Sequence, residues 1–245
     1  MQRRIGYAAH FRGFFLTDSL VASKEKEHQV IQYKKILQPL GIPLSDTRPR
    51  IFLDDKEIKN AKEHLYQRGY VEGKAIIGIN PGAAYGSAKC WPPERFRALA
   101  MRLLLEKDCY VVFFGDEKTA SLVKEIRRDL PEKAIDLAGV TSLRELACIV
   151  KECTVLVTND SGPMHIAGAF STPVVALFGS TSPIVTGPWN DATILRKSVA
   201  CSPCYRRVCP IDFRCMKQIQ VDEVVSAIQN ALQTKQSNPK LSLLY

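Results

Sequence analysis

The sequence has no apolar run long enough to cross a bilayer. A membrane-spanning helix needs about 20 mainly apolar residues, and charged side chains break every long run in this chain. Its first residues, MQRRIGYAAHFRGFFLTDSL, begin with basic side chains, but Arg12 and Asp18 interrupt the short apolar patch. We therefore expect no signal peptide, and a cytoplasmic protein that can lie against the inner face of a membrane.

Several widespread functional signatures are also missing. The chain contains neither G-x-x-x-x-G-K-[ST] nor G-x-G-x-x-G, which excludes a P-loop NTPase and a standard NAD-binding fold. The serine elbow G-x-S-x-G and the zinc motif H-E-x-x-H do not occur either. No internal repeat or low-complexity tract is present.

Acidic side chains are in the minority. The chain has 34 Lys and Arg against 25 Asp and Glu, and its formal net charge is +9. Residues 1–50 hold nine basic and four acidic side chains. Such a surface suits an anionic partner, namely nucleic acid, an anionic membrane face or a phosphorylated substrate. Aromatic residues do not alternate with the basic ones as a base-stacking surface requires, so we expect no nucleic-acid partner.

What the sequence does have, from about residue 75, is an alternation of short apolar and longer amphipathic segments. The apolar runs predict five strands, at 75–80, 109–115, 134–139, 154–160 and 173–179. The amphipathic segments predict helices at 93–108, 117–130, 142–153 and 161–170. This alternation predicts an α/β fold with a Rossmann-like parallel sheet and helices on both faces.

Residues 1–70 do not follow that alternation. We expect a helix over 27–41, and a strand followed by a helix between 50 and 69. Residues 221–234 predict a C-terminal amphipathic helix, and residues 235–245 a frayed tail.

The loop after the first predicted strand suits an anionic ligand. Gly82, Gly86 and the small residues between them allow a ligand to approach the backbone closely, and Lys89 follows just before a helix. A glycine-rich turn, a cation and a helix N-terminus together make an anion site at the carboxyl edge of the sheet. The alternative is an ordinary loop with a surface lysine.

The loop after the fourth predicted strand, in TNDSGPMHIAGAF, is more specific. Asp160, Ser161 and Gly162 begin a helix whose free N–H groups and dipole would hold a diphosphate, with the Ser161 hydroxyl as an added donor. His165 lies on the same helix face and would donate to a phosphate oxygen. Asp160 would bind a sugar hydroxyl or fix Lys89. For His165, a hydrogen-bonded core residue is the alternative.

An acid also follows the second predicted strand, in FGDEK. Asp116 or Glu117 would accept hydrogen bonds from ribose hydroxyls, or would cap the next helix. From the residues alone the two interpretations stay open.

Four of the eight cysteines lie within CSPCYRRVCPIDFRC, at Cys201, Cys204, Cys209 and Cys215. Four thiols in so short a stretch are enough for a structural zinc or an iron–sulfur site. The spacing is not that of a standard zinc finger or ferredoxin. Paired or redox-active thiols and free structural cysteines are the alternatives, and a cytosolic setting disfavours disulfides.

Several segments together resemble one known family. NPGAAYGSAKCWPPERFRALA, VVFFGDEK, DLAGVTSLRELA, VTNDSGPMHIAGAFSTPVVALFGSTSP and a closing GPW are similar to the ADP-heptose:lipopolysaccharide heptosyltransferases of glycosyltransferase family 9, most of all to the heptosyltransferase II type. The segments follow the family's order along the chain.

The resemblance implies a GT-B architecture with two Rossmann-like domains, of which the C-terminal one binds ADP-heptose. It implies inverting transfer of heptose to a lipid A–Kdo–heptose acceptor, with no required cofactor. Lys89 and the Asp160–Ser161–Gly162 turn would grip the diphosphate and the sugar. His165 would assist them, and Glu117 would take the ribose.

The sequence departs from this family at its start. Members carry a whole N-terminal domain with an acceptor loop and an aspartate as general base, and RIGYAAHFRGFFLTDSL resembles only the end of that domain. We interpret residues 1–70 as a remnant of the acceptor domain with its linker, 71–234 as the nucleotide-sugar-binding domain and 235–245 as a tail. No residue matches the base, so we expect donor binding with weak or absent transfer. The alternative is a non-catalytic basic protein that binds nucleotide or nucleic acid.

Overall fold

A computed structural model describes residues 3–9, 11–23, 25–189 and 192–237 of the chain. The strands in these ranges are β1 (Ile5–Tyr7), β2 (Asp18–Leu20), β3 (Ala75–Asn80), β4 (Cys109–Phe113), β5 (Ala134–Asp136), β6 (Val155–Asn159), β7 (Val174–Phe178) and β8 (Thr193–Arg196). The α-helices are α1 (Gln29–Lys35), α2 (Asp55–Tyr66), α3 (Pro93–Glu106), α4 (Ala120–Arg127), α5 (Leu143–Glu152), α6 (Gly162–Ala169), α7 (Pro183–Thr186), α8 (Arg214–Lys217) and α9 (Val221–Ser237). Short 3-10 helices are Arg12–Phe15, Gln38–Leu40, Ser87–Lys89 and Glu117–Thr119.

The described residues form two compact units. The smaller holds the residues up to Arg48 together with Ser182–Gly187, and the larger holds Pro49–Thr181 and the residues from Pro188 onward. Helix α2 belongs to the larger unit, because its Ala61 and Leu65 are fully buried in that unit's core. This division differs from the boundary at residue 70 that the sequence suggested. That boundary concerns which domain of the family each segment corresponds to, and it stays a prediction.

The smaller unit is built on a parallel pair, β1 and β2, in which Ile5 lies beside Asp18. Arg3 forms an ion pair with Asp18 at 2.5 Å, and the Tyr7 hydroxyl donates to the carbonyl of Gln32 in α1 at 2.9 Å. The helix predicted over 27–41 is present as two pieces, α1 and the 3-10 helix 38–40. Gly41 ends the second piece with a left-handed φ of 77°.

The larger unit contains a six-stranded sheet in the order β5-β4-β3-β6-β7-β8, and every pairing in it is parallel. The chain moves outward from β3 to β5 and then returns to place β6 on the other side of β3. The strand order therefore reverses between β3 and β6, where Asn80 lies beside Thr158. This doubly wound order confirms the predicted Rossmann-like parallel sheet.

Alternate side chains of each strand enter two separate apolar cores. On one face, strand residues such as Ile77, Phe113 and Val157 pack against α3, α4 and α9. On the other, residues such as Ile76, Phe114 and Leu156 pack against α2, α5 and α6. Because both faces of the sheet are covered, the strands are continuous apolar runs, and these runs are what located them in the sequence.

One sequence-based expectation was wrong, and one strand of the sheet was missed. Residues 50–54 form no strand; instead Asp54 accepts from the Glu57 N–H at 2.7 Å, and the Glu57 carboxylate accepts from the Asp54 N–H at 3.0 Å. This reciprocal capping box begins α2 and uses the backbone groups that a strand would need. The edge strand β8 was not predicted, since a lone four-residue run gives little periodic signal.

The C-terminal helix α9 extends three residues beyond its predicted end, to Ser237. Residues 238–245 of the predicted tail lie outside the described residues. Over the ranges that the structure covers, no helix combines the length and apolar character that a bilayer span requires.

Two leucines on α3 test whether the sheet-facing core stabilises the larger unit. Leu103 is 2% exposed and lies in the core, whereas Leu105 is 74% exposed. We expect Leu103→Ala to lower the free energy of unfolding by about 2–5 kcal/mol. The matched Leu105→Ala should change it by about 0.5 kcal/mol or less. Urea unfolding measures both, and equal effects would contradict this packing.

Candidate functional site

The candidate site lies at the carboxyl edge of the sheet, where β3 and β6 are neighbours. The loop after β3 carries Lys89, and the two-residue connection after β6 carries Asp160 and Ser161. A reversal of strand order leaves a crevice at this edge, because the connections on the two sides run in opposite directions.

Lys89 and Asp160 meet in a largely buried ion pair. The Lys89 ammonium donates to the Asp160 carboxylate at 2.7 Å, and the two side chains are 12% and 4% exposed. The Thr181 hydroxyl, at the end of the loop after β7, donates to the same carboxylate oxygen at 2.6 Å. Of the two roles expected for Asp160, the structure therefore shows the one that fixes Lys89.

Two asparagines tie the neighbouring loops together. The Asn80 amide donates to the Ser161 hydroxyl oxygen at 2.9 Å and to the Gly82 carbonyl at 3.1 Å. Asn159 donates to the Pro81 carbonyl at 2.7 Å and accepts from the Trp91 N–H at 3.0 Å. The roles of these two asparagines were not predicted from the sequence. The pattern that could have indicated them is an amide side chain at the end of each of two apolar strands.

The N-terminus of α6 faces open space. Ser161 precedes the helix in an extended conformation, and a Cβ built on Gly162 would meet no described atom within 4 Å. The Ser161 oxygen also lies 3.0 Å from the Thr158 hydroxyl, which itself donates to the Asn159 carbonyl at 2.9 Å. The Ser161 proton is therefore directed either to Thr158 or to a ligand above the helix.

The structure places the three remaining candidates, His165, Asp116 and Glu117, on the surface of the same unit. His165 is exposed on α6, so the alternative of a core histidine is wrong. Asp116 caps the following 3-10 helix by accepting from the Thr119 N–H at 2.9 Å, and Glu117 is exposed beside it. The capping interpretation thus applies to Asp116, and the ribose-binding role of Glu117 stays a prediction.

The four clustered cysteines line one small cavity, together with Ser180. Burial raises the pKa of the Cys215 thiol, and the neighbouring thiols of Cys201, Cys209 and Cys204 raise it further. Ser180 is buried, and its hydroxyl has no partner among the described residues. Across the described ranges, no three potential ligands are gathered closely enough to hold a metal ion. The metal site therefore stays a prediction.

Comparison with known proteins identifies the family. The model of glycosyltransferase family 9 (heptosyltransferase) matches residues 1–213. The chain belongs to glycosyltransferase family 9. Lipooligosaccharide heptosyltransferase 2 of Campylobacter jejuni is 31% identical over 217 residues, which are 85% of this chain and 65% of that protein. The Haemophilus influenzae protein of the same name is 35% identical over 205 residues, 79% of this chain and 59% of that one.

A solved structure agrees with this assignment. The ADP-heptose lipopolysaccharide heptosyltransferase II of E. coli superposes with a TM-score of 0.78 at 28% identity, covering 96% of this chain and 71% of the other. The family and the fold expected from the sequence motifs are therefore confirmed. This family 9 chain spans about two thirds or less of the length of the two relatives above. The roles of its individual site residues stay predictions.

The buried pair in this family 9 chain should behave as a coupled unit. Removing one partner leaves the other charge without compensation, so we expect Lys89→Met and Asp160→Asn each to lower the free energy of unfolding by about 3–5 kcal/mol. The double variant should lose clearly less than the sum, by more than about 1 kcal/mol.

The exposed pair Lys74 and Asp108 provides the matched control, with side chains 45% and 60% exposed. Solvent screens such a pair, so the same two substitutions there should show much weaker coupling. Additive losses at Lys89 and Asp160 in urea unfolding would contradict the coupled pair.

Proposed function

We propose that the larger unit binds ADP-heptose at the β3–β6 crevice, as the donor-binding part of a heptosyltransferase acting in lipopolysaccharide biosynthesis. The observation that carries this proposal is the convergence of Lys89, Asp160 and the N-terminus of α6 at the carboxyl edge of the sheet. A cation and free helix N–H groups at one edge suit a diphosphate.

Each residue has a distinct task in this proposal. Lys89 binds a diphosphate oxygen and is held in place by Asp160. At the start of α6 the Gly162 N–H binds the neighbouring phosphate, because Pro163 has no N–H and the Met164 N–H donates to the Ser161 carbonyl. The side chains of Ser161 and His165 are further donors. Glu117 accepts hydrogen bonds from the ribose hydroxyls, and its exposure leaves it accessible for this.

Heptose transfer with inversion requires an acceptor oxygen to attack the anomeric carbon as the bond to the diphosphate breaks. The released diphosphate gains negative charge, which Lys89 and the α6 N-terminus would stabilise. The attacking hydroxyl must also lose its proton to a base. Asp160 is unsuited to this task, because its carboxylate is buried and one of its oxygens accepts from both Lys89 and Thr181. We therefore propose that this chain alone binds donor and transfers sugar slowly or not at all.

The proposed acceptor is a lipid A–Kdo–heptose core, which places the protein in the cytoplasm at the inner face of the membrane. The basic excess of residues 1–50 supports contact with a surface rich in phosphate. Nucleic acid is not a proposed partner.

Thermal unfolding with and without ADP tests donor binding. A ligand that binds only the folded chain at a hundredfold excess over its Kd adds about 2.7 kcal/mol of stability. For a domain of this size we expect an increase in Tm of about 5–10 °C. Lys89→Ala and His165→Ala should reduce the increase. Lys133→Ala should keep it, because Lys133 precedes β5 at the opposite edge and pairs with Asp108.

Three results would contradict the proposal. If ADP does not raise the Tm of the folded parent, donor binding is contradicted. If all three variants lose the ADP-induced increase in Tm to the same extent, the assigned site is contradicted. Strongly salt-dependent binding to unrelated DNA, without competition by ADP, would favour the basic nucleic-acid-binding alternative. Heptose transfer by the isolated chain would contradict only the part on catalysis.

We also propose that the clustered cysteines hold a structural zinc ion or an iron–sulfur centre. Supporting observations are the common cavity and the unpartnered Ser180 hydroxyl within it. Metal thiolates require deprotonation, and burial raises the pKa of Cys215, so metal affinity should fall as the pH is lowered.

Metal analysis of protein purified under reducing conditions tests this site. We expect stoichiometric zinc or iron in the parent, its loss in Cys204→Ser, and its retention in Cys148→Ser, because Cys148 is buried in α5 outside the cluster. A metal content near zero in the parent would contradict the proposal.

A further inference from the structure

The segment that carries the four clustered cysteines, residues 201–215, is called the cysteine-rich loop here. It contacts the loop after β3, which carries Lys89. Ala88 donates its N–H to the Arg207 carbonyl at 3.0 Å. Gly86, with a φ of 152°, lets the two backbones meet, because a Cβ there would lie 2.3 Å from the same carbonyl oxygen. The Tyr85 hydroxyl donates to the Tyr205 carbonyl at 2.8 Å. Residues 205–207 therefore help to hold the loop after β3, and with it Lys89, in place.

Two cations lie close to the Tyr85 ring. The Lys89 ammonium is 4.9 Å from the ring centroid, and the Arg207 guanidinium is 5.2 Å from it. Both distances are within the range of cation–π attraction. The ring thus holds the exposed Arg207 side chain beside the rim of the crevice that contains Lys89.

The charges of the crevice show what Arg207 adds. The positive charge of Lys89 is balanced by Asp160 at 2.7 Å, so this pair brings no net charge to a ligand. The N-terminus of α6 contributes about half an elementary charge. A nucleotide diphosphate carries a negative charge on each phosphate, which this half charge does not balance. Among the described residues no carboxylate forms an ion pair with Arg207.

We infer that Arg207 is a further binding residue of the donor site, which supplies the uncompensated positive charge for the diphosphate and is positioned by Tyr85. This inference rests on the proposed function and extends the site to the cysteine-rich loop. The guanidinium has a planar set of donors that suits two phosphate oxygens at once. Tyr85 contributes the position of Arg207 and does not itself need to contact the ligand.

Calorimetric titration with ADP and with adenosine tests the inference on the full chain. We expect Arg207→Ala to weaken ADP binding about tenfold or more, since a charge-assisted hydrogen bond is lost. Adenosine affinity should stay unchanged, because adenosine has no phosphate. Arg206→Ala is the matched control: it removes the same charge from the adjacent exposed position and should alter ADP affinity less than about twofold.

Two tyrosine variants separate positioning from charge. Tyr85→Leu removes the ring and should weaken ADP binding in the same direction, with a less than additive effect when combined with Arg207→Ala. Tyr85→Phe keeps the ring and should retain most of the affinity. Unchanged thermal unfolding without ligand shows that the loop has stayed folded in each variant.

The outcomes distinguish this inference from the proposed function. If the parent binds ADP and Arg207→Ala binds it equally well, or if Arg206→Ala weakens it as much, the role of Arg207 is overturned and the donor site stands. If ADP does not bind the folded parent, both are overturned. Equal losses for ADP and adenosine would show a general disturbance of the loop and would overturn the assignment to the diphosphate.

Discussion

The buried ion pair between Lys89 and Asp160 is the interaction on which the candidate site depends. It joins the loop after β3 to the connection after β6, across the point where the strand order reverses. Removing two charges from water is costly, so such a pair contributes little net stability even at good geometry. Its effect is positional: the ammonium is held in one place, at the edge of the sheet where helix α6 begins.

The surrounding polar contacts follow from this constraint. Thr181 adds a second donor to the Asp160 carboxylate, and Asn80 and Asn159 join the backbones of the same two loops. Each of these polar side chains is at most 5% exposed, so each needs a partner in the fold. The crevice is therefore preorganised, which would lower the entropy lost on binding of the proposed anionic ligand.

Much of the fold was predictable from local pattern. Five strands of the sheet and the helices between them were located, because strands buried on both faces are continuous apolar runs and their helices carry one apolar stripe. The prediction failed where local pattern is weak. Residues 50–54, where a strand was expected, form none, and Asp54 caps helix α2 instead. Strand β8 is too short to show a period.

The sequence by itself determined the parallel sheet, the family and which two loops are candidates for anion binding, because each depends on residues close together in the chain. The tertiary structure alone decided which partners those residues have. Lys89 and Asp160 lie far apart in the chain, in the loops after two different strands, and only the strand order brings them together. The same holds for Tyr85 and Arg207, whose contact depends on how a distant loop packs. Such long-range contacts leave no periodic trace in a single sequence.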